Sequence, residues 1–152
     1  GFFTVPLSLA AQSIAPRELS ADRPEQCVAL GHLMLKLSLT IGSVLAAINF
    51  VVPARVPSLL GVTENQPEVR LLLHSLVTAG CISQLANSVA TGLDGLYIGC
   101  GKLRYYILTC LTTTLAAWGV ALGTGGGLLN AWWALAVFAG TRLGMNLLRF
   151  PL

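Results

Sequence analysis

VRLLLHSLVTAGCISQLANSVATGLDGLYIGCGKLRY, residues 69–105, is the stretch on which the fold turns. It is long and apolar enough to cross a bilayer, since about 20 helical residues at ~1.5 Å rise span the ~30 Å hydrocarbon core. It also carries Gln84, Asn87, Ser88, Thr91 and Asp94, side chains that are costly to set against lipid. Gln84, Asn87, Thr91 and Asp94 follow one another at intervals of three, four and three, which places them on one broad face of a helix. That face is therefore predicted to point into protein or a wet cavity. The helix is expected to close in a glycine-punctuated turn at Gly95, Gly99 and Gly101, followed by Lys102 and Arg104.

The composition agrees with a membrane setting. Of 152 residues, 55% are hydrophobic and only 10% are charged, and the mean hydropathy is +0.75. A soluble domain usually carries about 25% charged residues. Few stretches alternate with the period of two that a barrel strand needs, so the expected class is an all-α membrane protein. The net charge of +3 is scattered. It forms no basic block of the kind that binds nucleic acid.

Working outward, residues 1–15 read as a short, partial N-terminal helix, the remaining end of a span, with Pro6 at a kink or first turn. A glycine rather than a methionine at the first position fits a chain that is part of a longer product, or one whose targeting segment has been removed. Residues 16–27 form the first polar loop, in which Asp22-Arg23-Pro24-Glu25 carries helix-start chemistry: a capping carboxylate, an early proline and an acid in the first turn. Four complete transmembrane helices are expected at 28–52, 69–98, 105–122 and 128–148, with a proline-rich loop at 53–68. That loop ends in Asn65-Gln66-Pro67-Glu68, a second helix start of the same type. Gly42, Ser43, Ala46 and Ala47 offer a small-residue strip for close helix contact. In the third of these, 105–122, threonines are expected to bond back to the preceding turn. In the last, Trp132 and Trp133 suit one interface, while Arg142 and Arg149 snorkel toward the other.

Chemistry-bearing clusters are few. Cys27, Cys81, Cys100 and Cys110 form no CxxC pair and no Cys/His metal spacing, so they read as small, reduced hydrophobes. No metal site is expected. His32 and His74 are the residues suited to a pigment or proton contact, against the plainer reading of hydrogen-bonded helix residues. The glycine run at 123–127 lacks the Lys-Ser/Thr of a phosphate-binding loop. No Ser/His/Asp set or paired carboxylates are assembled, and an enzyme is not expected. If each span crosses once, Arg17, Arg23, Lys102, Arg104, Arg142 and Arg149 fall on or near one side, and only Arg55 and Arg70 on the other. The positive-inside rule then places the C-terminus on the cytoplasmic, stromal or matrix side.

The sequence Gln84-x-x-Asn87, then Asp94-Gly95-x-x-x-Gly99 and the Lys102/Arg104 turn, resembles the tenth helix of MATE (multidrug and toxic compound extrusion) transporters. The likeness is to the DinF-like branch that includes plant plastid members. Ala10-Ala11-Gln12 resembles the end of that family's eighth helix, and Trp132, Phe138, Gly140 and Arg142 resemble its last. The chain thus resembles the C-terminal part of the second lobe of such a transporter, about four and a half helices. The first lobe and the seventh helix, with their functional acids, have no counterpart here.

The resemblance implies an antiporter that exports small organic molecules in exchange for protons or sodium. Gln84, Asn87, Ser88 and Thr91 would line the substrate cavity, and Asp94 would brace the cytoplasmic turn carrying Lys102 and Arg104. The implied partners are membrane lipid, an N-terminal lobe and a small-molecule substrate, with no cofactor. The alternative is a truncated, non-transporting accessory subunit packed on other membrane subunits of an organellar complex, photosynthetic or respiratory. In that setting a pigment or lipid could be bound, with His32 or His74 in contact.

Overall fold

The structure, a computed structural model, describes residues 2–59, 67–123, 125 and 127–150. Apart from short turns they are helical. After a short 3-10 turn at Phe2–Thr4 come α1 (Val5–Ser20), α2 (Pro24–Leu59), α3 (Pro67–Gly99), α4 (Leu103–Gly123) and α5 (Leu128–Leu148). The central helix α3 packs against α1, α2 and α5, whereas α4 leans mainly on α5. Its C-terminal half is enclosed on every side: residues 92–97 are all buried. Its N-terminal half is open, with Val69, Leu71 and Leu72 exposed.

Small residues set how closely the helices approach. Gly95 and Gly99 lie inside α3 rather than in its closing turn, and they face Ser8, Ala11 and Ala15 of α1. The turn itself needs only Gly101, at φ 70. On the other flank Gly92 leaves room for the Ser38 hydroxyl of α2, and Gly42 of α2 meets Ser88. Of the strip expected on α2, Gly42 and Ala46 face α3, where the Cys81 thiol donates to the Ala46 carbonyl at 3.4 Å; Ser43 and Ala47 are exposed. Leu30, Met34 and Leu96 form one apolar cluster with Ala11 and Ala15. Val89, Leu93 and Tyr97 form a second, and Phe150 closes both from beyond α5.

Two loops are shorter than the sequence suggests. Residues 16–20 continue α1 through Pro16. Arg17 and Ser20 stay exposed, so neither needs a loop to reach water. Ser20 stitches the last turn by donating to the Pro16 carbonyl at 2.8 Å. Likewise α2 runs on through Val52 to Leu59, across Pro53 and Pro57. The second helix start is correct in placing α3 at Pro67, while Asn65 and Gln66 lie outside the described residues. So do Thr124 and Gly126 of the glycine run.

Asp22 also has a different job from the one expected. It sits at φ 56, the left-handed position just past α1. There the Arg23 amide donates to Glu18 (3.0 Å) and the Asp22 amide to Leu19 (3.1 Å), the double bond pattern that closes a helix around a left-handed residue. The α3–α4 turn repeats it, with the Lys102 amide donating to Tyr97 (2.9 Å) and Gly101 to Ile98 (3.0 Å). Because glycine adopts this conformation without steric cost, Asp22→Gly should stabilise the protein by about 0.5–1 kcal/mol. A capping role would instead make the same change slightly destabilising, by a few tenths of a kcal/mol; thermal unfolding in detergent separates the two.

Among the described residues, two helical stretches are long and apolar enough to cross a membrane, Pro24–Val51 and Leu103–Gly123. The outward surface is rich in large hydrophobic side chains: Val44, Ile48 and Val51 on α2, and Leu111, Leu115, Trp118 and Leu122 on α4, are all exposed. The threonines of α4 bond back as expected, Thr112 to Leu108 at 2.8 Å and Thr114 to Cys110 at 2.7 Å.

Candidate functional site

The polar side of α3 faces protein. Gln84 and Asn87 are half-buried and, with Ser83, form one wall of a cleft of about 180 Å³ whose other wall is Leu135, Phe138 and Ala139 of α5. A helical interval of three places the two amides on adjacent turns of the same face. The four cavity candidates do not act as a set, however. Ser88 is fully buried and turns toward Gly42 of α2, accepting a hydrogen bond from the Gln84 amide at 3.3 Å. Thr91 is half-buried one turn on and lies outside the residues that line the cleft. Gln84 and Asn87 are the two amides presented to its interior.

Below the cleft lies a charged core that the sequence did not reveal. Asp94, only 3% exposed, is ion-paired to Arg142 of α5. Its other oxygen accepts from the Asn146 amide at 2.8 Å, and the same amide reaches the Ala90 carbonyl at 3.3 Å. The Tyr97 hydroxyl donates to the Asn146 carbonyl at 2.7 Å. A second tyrosine, Tyr105, donates to the carbonyl of Met145. The guanidinium of Arg142 lies 5.7 Å from the Phe138 ring and 6.0 Å from that of Tyr106, within range of cation–π attraction. Phe138 therefore belongs to both the cleft wall and the surroundings of the ion pair.

This arrangement corrects two expectations. Asp94 does not brace Lys102 and Arg104: its cationic partner is Arg142, and Arg104 is exposed. The reason is geometric, because Lys102 lies beyond the end of α3 while α5 runs alongside Asp94. Arg142, in turn, does not snorkel to an interface but is held inside the bundle by a carboxylate and two rings. Arg142 and Asn146, four apart in a helix with few polar residues, were the available signal: that interval puts both on one face.

The histidines are not brought together. His32 is exposed on α2, its Nδ1 2.9 Å from the Val28 carbonyl and its ring edge-on to Phe150 at 5.0 Å. His74 is exposed on the open half of α3, where its carbonyl accepts from Thr78 at 2.9 Å. Among the described residues no group of three or more His, Cys, Asp or Glu side chains could hold a metal ion. All four thiols are free. Cys27 is buried against α1, donating to the Ala15 carbonyl at 3.6 Å. Cys100, in the turn after α3, shares a cleft with Cys27 and Lys102, and burial raises its thiol above the usual range.

The arrangement can hydrogen-bond a polar solute between two amides and an aromatic wall, next to a neutralised ion pair. No family model, no curated protein and no solved structure matches this chain.

Proposed function

We propose that this chain is a membrane-embedded helical unit of a MATE-type antiporter, the C-terminal portion of its second lobe, and that the cleft between α3 and α5 forms part of the path of a small organic solute. The observation that carries the reading is the placement of Gln84 and Asn87 on a cleft wall inside the bundle, while the outer faces of α2 and α4 are apolar. An amide exposed to lipid would be costly, and an amide buried only for packing would have no reason to face a cleft. In this reading α2, α3, α4 and α5 all cross the bilayer. The turn regions bearing Arg23, Lys102 and Arg104 and the end of α5 bearing Arg149 then face the cytoplasm, stroma or matrix.

A unit of this size has no opposing half to rock against, so alternating access depends on a partner lobe. The test therefore uses the protein as it occurs in its membrane. Gln84→Ala and Asn87→Ala are expected to lower dye export roughly three- to tenfold each, the value of one or two hydrogen bonds, with the amount of folded protein unchanged. If the amides serve only as interhelical contacts, worth about 0.6 kcal/mol each in a bilayer, export and folded protein fall together and the proposal is wrong.

A further inference from the structure

The end of the bundle at which α1 meets α2 and α3 meets α4 carries a further cleft, about 550 Å³, between the start of α4 and the end of α5. Among the described residues, three cations line it, Lys102, Arg104 and Arg149, and no carboxylate does. Among the described residues none of the three is ion-paired; Glu25 lines the adjoining cleft with Lys102 but lies beyond salt-bridge distance. Three like charges gathered in one cleft without a counter-charge repel one another, and an anion relieves that repulsion. One of them is held in place: the Arg149 guanidinium stacks 4.6 Å from the Tyr105 ring, and the Tyr105 hydroxyl is tied to the Met145 carbonyl. The cleft opens onto an apolar wall, Leu103 and Leu108, which continues along α4 as exposed Leu111 and Leu115.

A cationic recess at one end of an exposed leucine face matches a ligand with an anionic head and hydrocarbon chains. We propose that this cleft binds the headgroup of an anionic phospholipid, the phosphate lying among Lys102, Arg104 and Arg149 and the acyl chains along α4. The inference rests on the membrane reading given above, and it adds a specific lipid site to it. A free phosphate would satisfy the cations but would leave the leucine wall unused.

The test uses the full chain, extracted from membranes in a mild detergent and supplied with dioleoylphosphatidylglycerol or dioleoylphosphatidylcholine. Native mass spectrometry counts the lipids retained. The protein should keep the anionic lipid in clear preference to the zwitterionic one. At roughly fivefold per cation near a lipid phosphate, Arg104→Gln alone should lower retention about fivefold, and Lys102→Gln with Arg104→Gln and Arg149→Gln more than tenfold. Arg17→Gln with Arg23→Gln, at the same end but outside this cleft, should leave retention unchanged. Arg104 is exposed, so the single variant remains informative if the triple fails to fold. Equal retention of the two lipids, an equal loss from the Arg17/Arg23 variant, or displacement of the lipid by excess inorganic phosphate would each overturn the proposal. A chain that is monodisperse without detergent and does not enter liposomes would instead remove the membrane reading itself.

Discussion

Replacing Arg142 with alanine should cost about 3–5 kcal/mol, because it strands a carboxylate inside the bundle without its counter-charge. Asp94 is almost fully enclosed, and its remaining partner is the Asn146 amide. A single neutral hydrogen bond offsets only a small part of the desolvation of a buried charge. The expected result in detergent is a marked fall in the apparent melting temperature and in the yield of folded protein. Adding Asp94→Asn to the same chain should recover part of the loss, since the buried charge is then gone. Arg142→Lys should recover less than full stability, because an ammonium lacks the planar fork that can face a carboxylate while lying between two rings. Arg104→Ala is the comparison: that side chain is exposed, and its removal should change stability by no more than about 0.5 kcal/mol. If Arg142→Ala proves as mild as Arg104→Ala, the ion pair is not holding α3 to α5.

How far this core could be read from the sequence depended on the kind of information each part needed. Periodicity and apolar length are local, and they served well: the expected last helix, 128–148, coincides with α5, and the expected 105–122 lies within α4. The direction of the amide face was also legible, because amides on an otherwise apolar turn are cheapest to place against protein, and Gln84 and Asn87 line the cleft with α5. Boundaries failed where local signals conflicted with packing. Pro16 and the charges after it resemble a loop, yet α1 is held by its contact with α3 and continues to Ser20. Asp22 looks like a cap because capping aspartates are common, whereas its backbone conformation is that of a helix terminator. The Asp94–Arg142 pair spans two helices, and no periodicity connects them. Arg142 taken alone reads as an interface residue; only its position opposite Asp94 shows otherwise.

Among the described glycines, Gly95→Ala is expected to be the most damaging methyl addition. A side-chain carbon built at Gly95 would stand 2.6 Å from the Cα of Ser8, 2.7 Å from its carbonyl carbon and closer still to its carbonyl oxygen. These are backbone atoms, so no rotamer change relieves the clash, and α1 must move as a body. The cost should lie at or above the upper end of the ~1–3 kcal/mol typical of an overfilled core. Gly99→Ala should cost less, because its nearest neighbours on α1 stand 3.0 Å away. Gly140→Ala meets nothing within 4 Å, and the better helix propensity of alanine, worth up to about 1 kcal/mol, should make it neutral or stabilising. Apparent melting temperatures in detergent should therefore rank Gly140→Ala above Gly99→Ala, and Gly95→Ala lowest. A second reading follows the displaced helix. Cys27 is 3% exposed and its thiol meets the Ala15 carbonyl of α1, so maleimide labelling of Cys27 should accelerate in Gly95→Ala and stay slow in Gly140→Ala. Equal melting and labelling in those two variants would show that α1 is not seated on α3 as described. The contrast should be sharper in a bilayer than in a water-soluble bundle. Lipid tails are as apolar as the helices, so burial there supplies little attraction between them, and close contact between small residues carries most of the association.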